Sequence, residues 1–188
     1  MNALVLKRIF AIIAIWAIFI RTTEMKPIDE TNRKILNILQ ERGSITNAEL
    51  AGIIGLAPAT VFERVRKLEK SGIIKKTVTL VDPQAVGKSI IAFVFITMND
   101  YTQETIQHLS DEISRMPQVL ECYRLSGDKD YLLKVVADDI PGYDAFVFNK
   151  LARLQKVGKF SSMFVLSTVK HQTKIELEES ASGAASGT

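Results

Sequence analysis

The chain has 188 residues, with 24 Lys and Arg against 21 Asp and Glu, one cysteine and 47% hydrophobic residues. That composition supports one or two folded domains and excludes a disordered chain, a collagen-like repeat and a disulfide scaffold. The net charge of +3 is unevenly spread: residues 1–24 hold three basic and one acidic side chain, residues 25–82 ten and seven, and residues 83–188 eleven and thirteen, so a basic front and an acidic back are expected to meet different partners.

Residues 9–20 form an unbroken apolar run of twelve, behind Lys7 and Arg8 and before Arg21. As a helix the run reaches about 18 Å, short of a bilayer core of about 30 Å. No small-x-small cleavage site follows it. Three readings fit residues 1–24: an uncleaved signal or weak anchor, a helix packing on a partner, or sequence upstream of a start at Met25. The helix onset directly after Met25 favours the third, and no stable membrane partner is expected.

Residues 25–82 read as a helix-turn-helix domain. Asp29 caps a first helix to about Gln40 with Ile35, Leu36 and Leu39 on one face, and Gly43 ends it. Thr46 and Glu49 form a capping box for a short second helix carrying Leu50, Ala51, Ile53 and Ile54, which stops at Gly55. A third helix runs from Pro58 to about Lys70, burying Val61, Val65 and Leu68, and closes on Gly72. The glycine turn, with the small Ala51 where the helices cross, is the helix-turn-helix pattern. Arg64, Arg66, Lys67, Lys70, Lys75 and Lys76 stand against Glu69 alone between positions 64 and 76, which suits a helix laid in a major groove of double-stranded DNA. Ala59, Thr60, Glu63 and Arg64 are candidates to meet base edges, and Arg66, Lys67, Lys75 and Lys76 to meet phosphates. Glu63 equally suits pairing with Arg66 or Lys67 one turn on. Residues 73–81 read as a strand or hairpin, a small wing beside the third helix.

Residues 83–88 read as a linker. The following half, residues 89–177, reads as strand 89–98, helix 102–116, strand 119–125, strand 131–137, helix 141–157 and strand 163–169. That order is the βαββαβ, ferredoxin-like plan with both helices on one sheet face. The other face is then a bare apolar surface, and a two-fold homodimer covers it most simply. The tight turn 125–131 contains Leu125, Ser126, Gly127, Asp128, Asp130 and Tyr131, two carboxylates beside an aromatic ring. It reads either as a small-molecule pocket or as a hairpin turn with ordinary Asp and Gly punctuation. Cys122, in an apolar stretch, reads as a buried structural thiol of a reducing cytoplasm. His108 and His171 are isolated, so neither a metal site nor a catalytic constellation is expected. Residues 178–188 are polar and small, and read as a disordered tail.

The stretches Ile28-Asp29-Glu30-Thr31-Asn32-Arg33-Lys34-Ile35-Leu36, Gly55-Leu56-Ala57-Pro58, Glu63-Arg64-Val65-Arg66-Lys67-Leu68-Glu69 and Ser126-Gly127-Asp128-Lys129-Asp130-Tyr131-Leu132-Leu133 together resemble the Lrp/AsnC, or leucine-responsive, transcription factors. The resemblance implies an α+β chain with a winged helix-turn-helix domain and a ferredoxin-like αβ sandwich (RAM-type) domain. It also implies dimers and octamers, a cytoplasmic, nucleoid-associated regulator that is not an enzyme and carries no cofactor, and an effector that is leucine or another amino acid. By position, Gly127, Asp128, Asp130 and Tyr131 correspond to the effector-loop motif. Ala57 stands where many members have Ser, and Lys129 departs from the usual loop residue. An alternative of the same architecture is a tetrapyrrole decarboxylase of haem biosynthesis, which would want His and Arg facing the sheet cavity.

Overall fold

The computed structural model describes residues 28–177, so the expectations for residues 1–24 and for the tail 178–188 lie outside the described residues. No helix among the described residues is long and apolar enough to cross a membrane. The chain divides into two compact units: the described part of the first comprises residues 28–79 and 170–177, and the second spans residues 80–169.

The first unit is three helices, α1 (Glu30–Glu41), α2 (Asn47–Ile54) and α3 (Pro58–Lys70). Each boundary has a local cause. Asp29 Oδ1 accepts from Asn32 N at 2.7 Å. Thr46 and Glu49 cap each other, with Thr46 N donating to Glu49 Oε2 at 2.9 Å and Glu49 N to Thr46 Oγ1 at 3.2 Å. Gly55 ends α2 at φ 76°, a conformation that costs a side-chain-bearing residue strain. Pro58 opens α3, where its missing N–H costs nothing. Between the helices Ile35, Leu36, Leu50, Ala51, Val61 and Leu68 form the core.

Two features of this unit differ from the sequence expectations. Residues 73–81 form no strand pairing with any described residue, so the wing has no ladder. Residues 170–177, read from the sequence as the end of the second domain, pack with the first unit. Gln40 holds the backbone of Ile175 from both sides, donating to its carbonyl at 2.9 Å and accepting from its N–H at 2.8 Å. Asn37 donates to Leu177 O at 3.3 Å, Lys174 pairs with Glu41, and Leu177 packs on the helical core. Backbone groups of an extended segment must find partners, and α1 supplies them.

The second unit is β1 (Ile90–Met98), α4 (Gln103–Ser114), β2 (Val119–Arg124), β3 (Tyr131–Ala137), α5 (Ile140–Asn149) and β4 (Val157–Phe164). The sheet is antiparallel in the order β2-β3-β1-β4. The helix-covered side holds Ala92, Val94, Ile96, Met98, Leu133 and Val135 of the sheet against Leu109, Ile113, Tyr143 and Phe146. The opposite side of β1 presents Ile91, Phe93, Phe95 and Thr97, all half-buried.

The last helix and strand are displaced from the expected 141–157 and 163–169. α5 stops at Asn149, a short 3₁₀ turn covers Leu151–Arg153, and β4 starts at Val157. Leu151 and Leu154 are buried as helical spacing predicts, but they are reached through that turn. Lys156 then takes φ 62°, which reverses the chain into β4. Beyond Phe164 pairing with β1 continues through the bond from Val165 N to Ile91 O, at 2.9 Å. Cys122, expected to be buried, is exposed on edge strand β2, and partial desolvation pushes its thiol up from the ordinary range.

Candidate functional site

The surface of α3 divides by helical periodicity. Val61 and Leu68 face the core, whereas Ala59, Thr60, Phe62, Glu63, Arg66, Lys67 and Lys70 are exposed. Lys75 and Lys76 are exposed on the chain that follows. Seven of the eight candidate residues from the sequence therefore reach solvent on or just after this helix.

Arg64 is placed differently. Its Nη1 donates to Asp29 Oδ2 at 2.6 Å and to Asn32 Oδ1 at 3.1 Å, tying α3 to the start of α1. The same guanidinium, with the Asn32 N–H, holds the Asp29 carboxyl below the usual carboxylate range. Arg64 therefore braces two helices in this structure, with a third of its side chain still exposed. Glu63 sits 3.5 Å from Arg66, the pairing open as its alternative. Ala57 makes no side-chain cap, so α3 starts without the hydroxyl a Ser would bring. Sequence reasoning missed Phe62, an exposed aromatic on the helix, although its position beside Val61 and off the 61/65/68 stripe was readable.

The loop candidates separate as well. The 125–131 turn is closed by Leu125 N donating to Asp130 O at 2.8 Å, and Asp130 N donates to Ile96 O at 2.8 Å. Gly127 has φ 147°, in the region reserved for glycine. Asp130 Oδ2 accepts from Met98 N at 2.8 Å and from the Tyr101 hydroxyl at 3.0 Å, so this carboxylate clamps the end of β1. Tyr131 is buried in the core, and its hydroxyl finds no hydrogen-bond partner among the described residues. The side chain of Asp128 is 90% exposed, 3.6 Å from Lys129. Ser126 and Gly127 are exposed, and Leu125 is half-buried. The turn thus offers one solvated carboxylate, Asp128, on a frame made rigid by Asp130.

The same end of the sheet carries a polar knot that the sequence did not reveal. Lys156 Nζ reaches Asp100 Oδ2 at 3.0 Å and Thr105 Oγ1 at 3.1 Å, and Thr105 donates to the same carboxylate oxygen at 3.0 Å. Lys156, then Thr105, hold the Asp100 carboxyl below its ordinary range. On the open sheet face the Lys134 ammonium lies 3.0 Å from Glu121 Oε1, beside Phe93 and Leu132. Among the described residues no group of three or more His, Cys, Asp or Glu could hold a metal ion.

Two family models match along the chain. Residues 28–75 match the winged helix-turn-helix DNA-binding family model, and residues 91–175 match the Lrp/AsnC ligand binding domain. The transcriptional regulator AzlB of Bacillus subtilis is 37% identical over 152 residues, covering 81% of this chain and 97% of that protein. The leucine-responsive regulatory protein of Escherichia coli is 33% identical over 153 residues, 81% of this chain and 93% of that protein. Among solved structures, an AsnC family regulator from Agrobacterium tumefaciens is 38% identical with a TM-score of 0.74, covering 78% of this chain and 95% of that one. A Neisseria meningitidis transcriptional regulator solved as an L-Met complex has the same TM-score at 32% identity, covering 78% of this chain and 95% of that one. The chain belongs to the Lrp/AsnC family of DNA-binding transcriptional regulators.

Proposed function

We propose that the chain works as a homodimer, assembling further to an octamer, that binds double-stranded DNA through α3 and changes its binding when the 125–131 turn takes up an amino acid. The observation that carries this reading is the joining, in one chain, of an exposed basic helix to a sheet whose second face is apolar. Phe93, Phe95, Leu132 and Met163 share that face by register, with the Lys134–Glu121 pair among them. A second copy covers such a face most simply and doubles α3, so that two half-sites can be read. Asp128 supplies a carboxylate for an amino group, and the frame set by Asp130 and Gly127 presents it. The L-Met complex of the Neisseria relative supports an amino acid as effector, and the leucine-responsive relatives keep leucine among the candidates.

This is a regulator's work rather than an enzyme's, carried out in the cytoplasm on the nucleoid. The tetrapyrrole alternative asks for His at the sheet cavity, whereas His108 is exposed on α4 and His171 is exposed on the segment that follows the second unit.

A pull-down of genomic fragments by the full chain, with and without a mixture of the twenty amino acids, tests the reading together with light scattering of the protein. Retained fragments, an occupancy that shifts with the mixture, and a dimer or its multiple are expected. A monomer that retains no fragment at any salt concentration overturns it.

A further inference from the structure

The first two turns of α3 hold little that can form hydrogen bonds to a base. Pro58, Ala59 and Phe62 have no polar side-chain group, Glu63 lies against Arg66, Arg64 is turned to Asp29 and Asn32, and the exposed Thr60 hydroxyl is the polar group that remains. The basic side chains available for phosphates, Arg66, Lys67 and Lys70, all lie in the later turns. Meanwhile Phe62 leaves 50% of its surface in solvent on a helix whose other exposed side chains are mostly charged. It is one turn from Ala59 and from Arg66, so the ring, the Ala59 methyl and the Arg66 side chain share one side of the helix.

In the major groove the apolar feature that distinguishes one base is the 5-methyl group of thymine, contacted by Ala, Thr methyl or Phe. We propose that α3 reads thymine chiefly through its methyl group, with Phe62 as the specificity-determining contact and Ala59 and Thr60 beside it. The inference rests on the DNA-binding reading above and adds to it the base class that is read and the residue that reads it. Phosphate contacts from Arg66, Lys67 and Lys70 set the register, and the apolar surface discriminates. Cytosine in the same place leaves the ring facing a bare C5 edge.

The test uses the full chain and a random duplex pool. One enriched site is resynthesised with each thymine replaced in turn by deoxyuridine, which removes only the methyl, and with each cytosine replaced by 5-methylcytosine. For the unaltered protein, one deoxyuridine per half-site is expected to weaken binding about fivefold or more, within the range a single methyl group commands in an apolar contact. Phe62→Ala is expected to bind the natural and deoxyuridine sites within about twofold of each other, and Phe62→Leu to retain part of the discrimination. Thermal unfolding of both variants verifies folding, and Phe62→Leu carries the test if the alanine variant unfolds. Equal deoxyuridine losses in the unaltered chain and in Phe62→Ala overturn the proposal while leaving DNA binding intact. A Phe62→Ala protein that keeps its base preference but loses its oligomeric state reassigns the ring to assembly, and also overturns it. A pool from which nothing is enriched removes the DNA-binding reading itself, and this inference with it.

Discussion

The two acidic residues of the 125–131 turn are expected to answer mutation in opposite ways. Asp130 Oδ2 accepts from the N–H of Met98, a buried residue, and from the partly exposed Tyr101 hydroxyl. A hydrogen bond to a charged group contributes roughly 1.5–3 kcal/mol, and a buried donor left unmade costs a comparable amount. Tyr101 can turn to water and loses less. Asp130→Ala is therefore expected to cost about 2–3 kcal/mol, which lowers the melting midpoint of a unit this size by about 10–20 °C. Asp130→Asn keeps an acceptor and should lose less than half of that. Asp128, almost wholly solvated, makes no buried bond, so Asp128→Ala should change stability by less than about 0.5 kcal/mol. The assay is far-ultraviolet circular dichroism during heating, at one fixed protein concentration, because assembly adds its own stabilisation. In parallel, DNA binding is titrated with an amino-acid mixture, where Asp128→Ala is expected to lose the response that a stable Asp130→Asn keeps. Equal midpoints for Asp130→Ala and the unaltered chain would refute the clamp, and so would an equal loss in Asp128→Ala.

Three further expectations follow from the helical unit. Lys67→Ala should lower the salt dependence of DNA binding by about one phosphate, whereas Arg64→Ala should leave that slope unchanged and cost up to about 1 kcal/mol of stability through its partly exposed pair; an unchanged slope in both denies α3 its phosphate contacts. Asp29 has a folded pKa below its unfolded value near 3.8, so its contribution is present above that value and is lost as pH falls through the folded one. Asp29→Asn, which preserves a capping side chain, should flatten the acid limb of the helical unit's stability curve, and an unaltered limb refutes the Arg64 link. Gln40→Ala removes both bonds to Ile175 and should speed hydrogen exchange at that amide by about tenfold, with a cost near 1 kcal/mol, whereas unchanged exchange shows that the segment is held otherwise.

The parts of this protein that were legible in the sequence are those whose physics is complete within a few residues. Asp29 caps through Asn32, Thr46 and Glu49 satisfy each other, Gly55 supplies a left-handed turn, and Pro58 starts the helix after it. Each involves positions no more than four apart, so composition and spacing suffice. The order of strands and helices in the second unit was equally readable, since apolar period tracks burial. Period alone could not locate the end of the last helix, because Leu151 in a 3₁₀ turn and Leu154 just after it are buried as they would be in an α-helix.

The tertiary structure decided what each charged side chain is for. Arg64 reads in sequence as one more member of a basic strip, and in the fold it also pairs with Asp29, 35 positions earlier. Asp130 reads in sequence as a ligand for a small molecule, and in the fold one of its oxygens also accepts from Met98 and Tyr101, about thirty positions back. The segment 170–177 reads in sequence as the end of the sheet domain, and Gln40 and Asn37, some 135 to 140 positions away, hold its backbone. A charged or polar group takes whichever partner folding brings within about 3 Å, and that partner is set by chain topology rather than by neighbours in the sequence. Residue type therefore announced a basic helix and an acidic turn, while long-range pairing set which of their side chains also brace the fold.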